Sequence, residues 1–203
     1  MNNTASRWSI LIGWLFINLI GFAFAGAFLH NFPLQYSPSI HTFRTRFDLA
    51  PAVVGFIFGF TPALLTGWLQ WVILRRHWQI SRSWIISVPL GMGVMHFLAD
   101  GFVYAGDGTG FVLAGGLVVG AVQWQLLRPN TPAAHWWGLA GAGGWVLGWM
   151  IGIGILHAIG YTDDGRGNAL GHGLVGGMVG LIYSLTTGWL LMRFAGSRAP
   201  PDL

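Results

Sequence analysis

Gly67-Trp-Leu-Gln-Trp-Val-Ile-Leu-Arg75 and Gly120-Ala-Val-Gln-Trp-Gln-Leu-Leu-Arg128 are two copies of one box, Gly-x-x-Gln-Trp-x-x-Leu-Arg, set 53 residues apart. Each copy closes an apolar run of membrane-spanning length. The match extends on both sides at the same offset: Gly55 with Gly108, Leu64 with Leu117, Trp84 with Trp137, Gly91 with Gly144, and Gly101 with Gly154. Self-similarity at a fixed spacing marks a repeated structural unit. Here the unit is an apolar run, a basic turn and the next apolar run, which reads as a pair of helices in a bilayer.

Composition agrees. Hydrophobic residues make up 54% of the chain and charged residues 8%, against roughly 25% charged in a soluble domain. So little charge cannot cover a water-facing surface, and the solvent is therefore mostly lipid. All ten basic residues apart from histidine are Arg and all six acids are Asp. That excludes a lysine Schiff base, a phosphate-loop lysine and glutamate acid-base chemistry. With no cysteine there is no disulfide, thiolate nucleophile, iron-sulfur cluster or cysteine-held zinc. The net charge of +4 invites a nucleic-acid reading. The arginines are scattered at run ends without a continuous basic face, so no nucleic-acid partner is expected.

Six apolar runs, near 9–29, 49–74, 84–103, 110–127, 136–160 and 168–194, are each long enough to cross a ~30 Å hydrocarbon core as a helix. The runs are continuous rather than alternating, which argues against a β-barrel. The expected fold is all-α: a single transmembrane bundle over residues 1–203, six spans arranged as three hairpins. Run 9–29, with Arg7 before it and Ala-x-Ala at Ala23–Ala25 and Ala25–Ala27, also has the parts of a signal peptide. Its apolar stretch exceeds the usual length of one, which favours a retained helix.

Arginine bias sets the orientation. With the N-terminus inside, the inner segments carry Arg7, Arg75, Arg76, Arg82, Arg128, Arg193 and Arg198, and the outer ones only Arg44, Arg46 and Arg166. Five acids, Asp48, Asp100, Asp107, Asp163 and Asp164, fall outside. The expectation is a multi-pass protein of a bacterial inner membrane with both termini in the cytoplasm. Trp8, Trp71, Trp78, Trp84, Trp124, Trp136, Trp137 and Trp189 cluster near the same inner boundary, where an indole buries its ring and keeps its N–H wet.

Asp107 and Asp164 each open an Asp-Gly-x-Gly turn before an inward run, and Asp48 stands before the second run; all three are read as helix N-caps. Tyr183 and Ser184 stand near where a third box would fall, so a pseudo-threefold bundle with diverged ends is expected. Thr61-Pro62 is a candidate kink in the second span. Gly144, Gly148 and Gly152, and the pairs Gly55/Gly59, Gly116/Gly120, Gly173/Gly177 and Gly176/Gly180, are four apart. Small residues at that spacing let helix backbones approach closely.

Candidate chemistry is sparse. Gln70 and Gln123 fall about one turn inside the inner interface and need partners, each other or a neighbouring backbone. Trp71, Trp124, Arg75 and Arg128 anchor the box at the headgroups. The main reading is interhelical bonding plus interfacial anchoring; the other is an anionic-lipid or phosphate site. His96 and Asp100 share a helical face near the outer end. His157 ends the fifth span and His172 opens the sixth. Together they are the candidates for a cofactor or metal: His96, His157 and His172 as axial ligands of haem or a chlorophyll-type pigment, His96 with Asp100 for a divalent ion. No metal-binding spacing such as His-Glu-x-x-His accompanies them. Gly171-His-Gly-Leu-Val-Gly176 matches a dinucleotide fingerprint only in letters, since no strand precedes it.

The box, followed nine residues later by Trp84 or Trp137, resembles repeats in a group of uncharacterised bacterial multi-pass membrane proteins. The resemblance covers roughly residues 55–158 and implies architecture without an activity. The expected role is therefore a non-enzymatic accessory or scaffold subunit, associated with the bilayer and with other membrane subunits or further copies of itself. A cofactor-binding subunit and a small channel or transporter stand as alternatives.

Overall fold

The computed structural model describes residues 3–30, 47–76, 78, 80–102, 109–131, 133–160 and 169–195. They form six α-helices: α1 Asn3–His30, α2 Leu49–Leu74, α3 Ser87–Gly101, α4 Thr109–Leu127, α5 Ala134–Ala158 and α6 Ala169–Ala195. A 3-10 turn, Arg82–Ile86, leads into α3. All six helical segments are long and apolar enough to cross a membrane. The third needs its 3-10 turn to do so. The 15 residues of α3 rise only ~22 Å at 1.5 Å each, and the turn adds ~10 Å at 2.0 Å each.

Local chemistry sets the helix ends. Asp48 caps α2, its Oδ1 accepting from the Ala50 N–H at 3.2 Å, as its place before an apolar run requires. The Asp48 N–H donates to the Gly101 carbonyl at 3.0 Å, which ties the start of α2 to the end of α3. At the end of α5, Gly160 takes φ 71° and donates to the His157 carbonyl at 3.0 Å, the left-handed stop that glycine permits. Pro62 lies inside α2 without ending it. The hydroxyl of neighbouring Thr61 donates to the Ile57 carbonyl at 2.7 Å. Asp107 and Asp164 lie outside the described residues.

The helices form a closed ring in sequence order. Each meets the next, and α1 meets α6 to complete the circle. All six seams are antiparallel. On the α2/α3 seam Gly55, Gly59 and Gly67 face the carbonyls of His96, Met92 and Ile85 in turn. On the α5/α6 seam Gly144, Gly148 and Gly152 face Tyr183, Val179 and Val175. On the α1/α6 seam Gly176 and Gly180 face the carbonyls of Phe22 and Asn18. A Cβ at most of these positions would fall on the neighbour's backbone. Lipid tails are as apolar as leucine, so van der Waals contact between backbones holds helices together where no hydrophobic drive exists.

The ring has an end bearing Asn3 and Ala195, called here the terminal end, and a far end bearing Asp48 and Asp100. Its centre is filled. Trp14, Trp84, Trp137 and Tyr183 are fully buried. Trp137 lies edge-on to Trp14 and to Trp84, with ring centres 5.7 and 6.0 Å apart. Trp84, Trp137 and Trp78 are therefore core residues rather than members of an interfacial belt. Trp8, Trp124, Trp136 and Trp189 do face outward at the terminal end, and Trp68 joins them.

Candidate functional site

Among the described residues seven polar ones are buried: Asn18, Thr66, Gln70, Ser87, Gln123, Ser184 and Thr187. In a bilayer a partner must come from inside the protein, and all but Thr66, whose Oγ1 has none, find one. Four of them, Asn18, Gln70, Ser87 and Gln123, make a connected network at the ring centre with two indoles and one phenol.

Gln70 on α2 and Gln123 on α4 are its hubs. The Trp84 Nε1–H donates to Gln70 Oε1 at 3.0 Å, and the Trp137 Nε1–H donates to Gln123 Oε1 at 2.8 Å. In both pairs the indole lies 14 residues beyond the amide. The spacing covers the last turn of one helix, a corner and the turn that opens the next segment. The glycine three residues before each Gln permits the approach: Gly67 sits on the Ile85 carbonyl and Gly120 on the Gly138 carbonyl.

An indole can only donate, so each Gln must present its oxygen to it, and this fixes both amide orientations. The NH2 groups then point elsewhere. Gln70 Nε2 donates to Asn18 Oδ1 on α1 at 2.5 Å, and Asn18 Nδ2 donates to the Trp14 carbonyl at 2.8 Å. Gln123 Nε2 donates to Ser87 Oγ on α3 at 3.1 Å, with a long contact of 3.5 Å to Gln70 Oε1. Gln123 Oε1 also accepts from the Tyr183 hydroxyl on α6 at 2.6 Å, so both its lone pairs are used. Every helix contributes a side chain to this network.

The α6/α1 seam follows the same plan with different residues. Gly180 faces the Asn18 carbonyl, and three residues on, where the other seams have Gln, stands Tyr183. One turn further Thr187 Oγ1 accepts from the Trp14 Nε1–H at 2.9 Å. Chemically the network is uncharged and its donors and acceptors are matched. Its members are amides, indoles and hydroxyls, with no carboxylate or imidazole among them.

The residues named from sequence as ligands occupy the far half of the ring. His96 Nε2 is buried and has no hydrogen-bond partner. Its ring lies beside Gly59, and Asp100, one turn on, lies over Gly55. His172 is exposed in the first turn of α6, within electrostatic reach of His96. His157 is exposed at the end of α5. Among the described residues no three His or Asp side chains are grouped to hold a metal ion. Asp107, Asp163 and Asp164 lie outside those residues. Of the box residues, Gln70 and Gln123 are central. Trp71 is half-buried and donates to the Ile80 carbonyl at 3.3 Å, while Trp124, Arg75 and Arg128 are exposed.

Sequence reasoning passed over Trp14 and Trp145, and noted Tyr183 only as standing near where a third box would fall. Trp145 on α5 is buried, packed edge-on against Phe22 at 5.4 Å and seated over Gly115 and Gly116. The other three fully buried indoles bond a side-chain oxygen. The Trp145 Nε1–H has no partner. Gly115 faces both Met95 and Trp145, so Trp145 and His96, the residue after Met95, share one level of the ring. No protein-family model, curated protein or solved structure matches the chain.

Proposed function

We propose that the chain is a non-enzymatic integral membrane protein, an accessory or scaffold subunit of a larger membrane complex. The observation that supports this most is the filled centre of the ring. Uncharged side chains from all six helices bond one another there, leaving no reactive group at the middle and making the helices one rigid unit. Work is then left to the outer surface and the two ends. The arginine distribution supports a bacterial inner membrane with the terminal end in the cytoplasm: Arg75, Arg76, Arg82, Arg128 and Arg193 lie at that end, and Asp48 and Asp100 at the other.

The test is purification from native membranes in mild detergent, followed by identification of stoichiometric partners. A subunit role predicts a partner that survives size exclusion. Solute flux through liposomes containing the protein alone would overturn it.

One observation favours a second reading, a cofactor-binding subunit. His96 Nε2 and Trp145 Nε1 are buried without partners at the same level. A haem or chlorophyll-type pigment held by His96, alone or with His172, requires a visible absorption band in the purified protein that His96→Ala abolishes. A colourless, metal-free sample would rule this reading out.

A further inference from the structure

The corner between α2 and the 3-10 turn puts Arg75, Arg76 and Arg82 on the surface within eight residues. The chain there is pinned rather than loose. The Trp78 N–H donates to the Leu74 carbonyl at 2.8 Å and the Ile80 N–H to the Trp78 carbonyl at 2.9 Å. The Trp71 indole reaches forward to the Ile80 carbonyl, and the Trp78 and Ile80 side chains are buried. The three arginines therefore stand on a fixed platform.

Arg75 is also held in one orientation. Its guanidinium lies 4.4 Å above the Trp71 ring. Stacking occupies the flat face of the cation and leaves its N–H edges free to form a fork, the geometry that matches phosphate oxygens. Trp68 is half-exposed on the same face of α2, two turns deeper in the hydrocarbon. Charge is one-sided as well: among the described residues both acids, Asp48 and Asp100, lie at the far end. A ligand suited to this corner has an anionic head at the interface and an apolar body running along Trp68.

We infer that the corner is a headgroup site for an anionic phospholipid, with Arg75 and Arg82 gripping the phosphate and Arg76 adding charge. This does not depend on the subunit role proposed above. An arginine near an anionic membrane surface contributes about 1 kcal/mol, or roughly fivefold in affinity. Removing two is therefore expected to weaken binding at least tenfold.

The test is native mass spectrometry of the full chain in mild detergent, titrated with phosphatidylglycerol and with phosphatidylcholine. The native protein is expected to retain phosphatidylglycerol preferentially. R75Q/R82Q is expected to lose that preference, and the charge-matched R128Q/R193Q to keep it. The control is stringent, because Arg193 is itself stacked on Trp189 at 4.4 Å. Equal losses in the two doubles, or none, would overturn the site. Displacement of the lipid by millimolar inorganic phosphate would also overturn it, in favour of a site for free phosphate. Should R75Q/R82Q fail to fold, R75K/R82K carries the test: it keeps the charge, loses the fork, and is expected to bind more weakly. Unchanged affinity in that variant would sink the proposal.

Discussion

Replacing Gln123 by Leu keeps the volume of the side chain roughly constant and removes every bond it makes. Trp137 and Tyr183 lose their acceptor and Ser87 loses its donor, at 2.8, 2.6 and 3.1 Å respectively. Interhelical bonds within membranes average about 0.6 kcal/mol and reach about 1.7, so three of them give a loss of roughly 2–5 kcal/mol. The upper part of that range is expected, because Gln123 and Tyr183 are fully buried and an indole and a phenol are left unsatisfied in the interior. The assay is reversible unfolding in mixed micelles, read by tryptophan fluorescence, with Tyr183→Phe and the double variant completing a cycle. Tyr183→Phe alone should cost about 1 kcal/mol. In the Gln123→Leu background it should cost nothing or restore stability, because its partner has gone. A loss below about 0.5 kcal/mol for Gln123→Leu, or strict additivity in the cycle, would refute the idea that this amide holds the ring together.

Gly120→Val should separate α4 from α5, because any Cβ there meets the Gly138 carbonyl. A melting scan in detergent should show a loss equivalent to about 1–3 kcal/mol. Gly143→Ala, where nothing lies within 4 Å, should be neutral or slightly stabilising in the same scan. Trp137→Phe should destabilise more than Trp145→Phe, because only the former gives up a hydrogen bond to protein; the reverse order would show that the Trp145 N–H is satisfied after all. A reporter fused after Leu203 should be active only as a cytoplasmic fusion, and periplasmic activity would invert the proposed topology.

The spans were legible because length and apolarity are local properties. Runs near 49–74 and 110–127 reappear as α2 and α4 nearly to the residue. The importance of Gln70 and Gln123 was legible too, since an amide that deep must be bonded. Which groups would meet them was not. In a soluble helix one apolar stripe points inward and reports the facing. Here the outside is as apolar as the inside, so Trp136 and Trp137 look alike in sequence, yet one faces outward and the other is fully buried. Only the polar residues and the glycines carry the inward direction. Tyr183 was noticed only as the residue near the lost box, without its bond to Gln123, and Trp14 was missed because its partner Thr187 lies 173 residues away. The metal reading of His96 and Asp100 rested on two residues of one helix. A ligand set needs others, and no spacing rule says which outer loops supply them.

The ring is closed by α1 against α6, two helices far apart in the sequence. Until α6 is in place the Trp14 indole N–H has no Thr187 to bond, and hydrocarbon can accept no hydrogen bond from it. An arc lacking α6 is therefore not a smaller version of the protein, since its α1 edge holds a donor with no acceptor. The α1/α6 contact therefore decides whether the Trp14 indole is bonded at all.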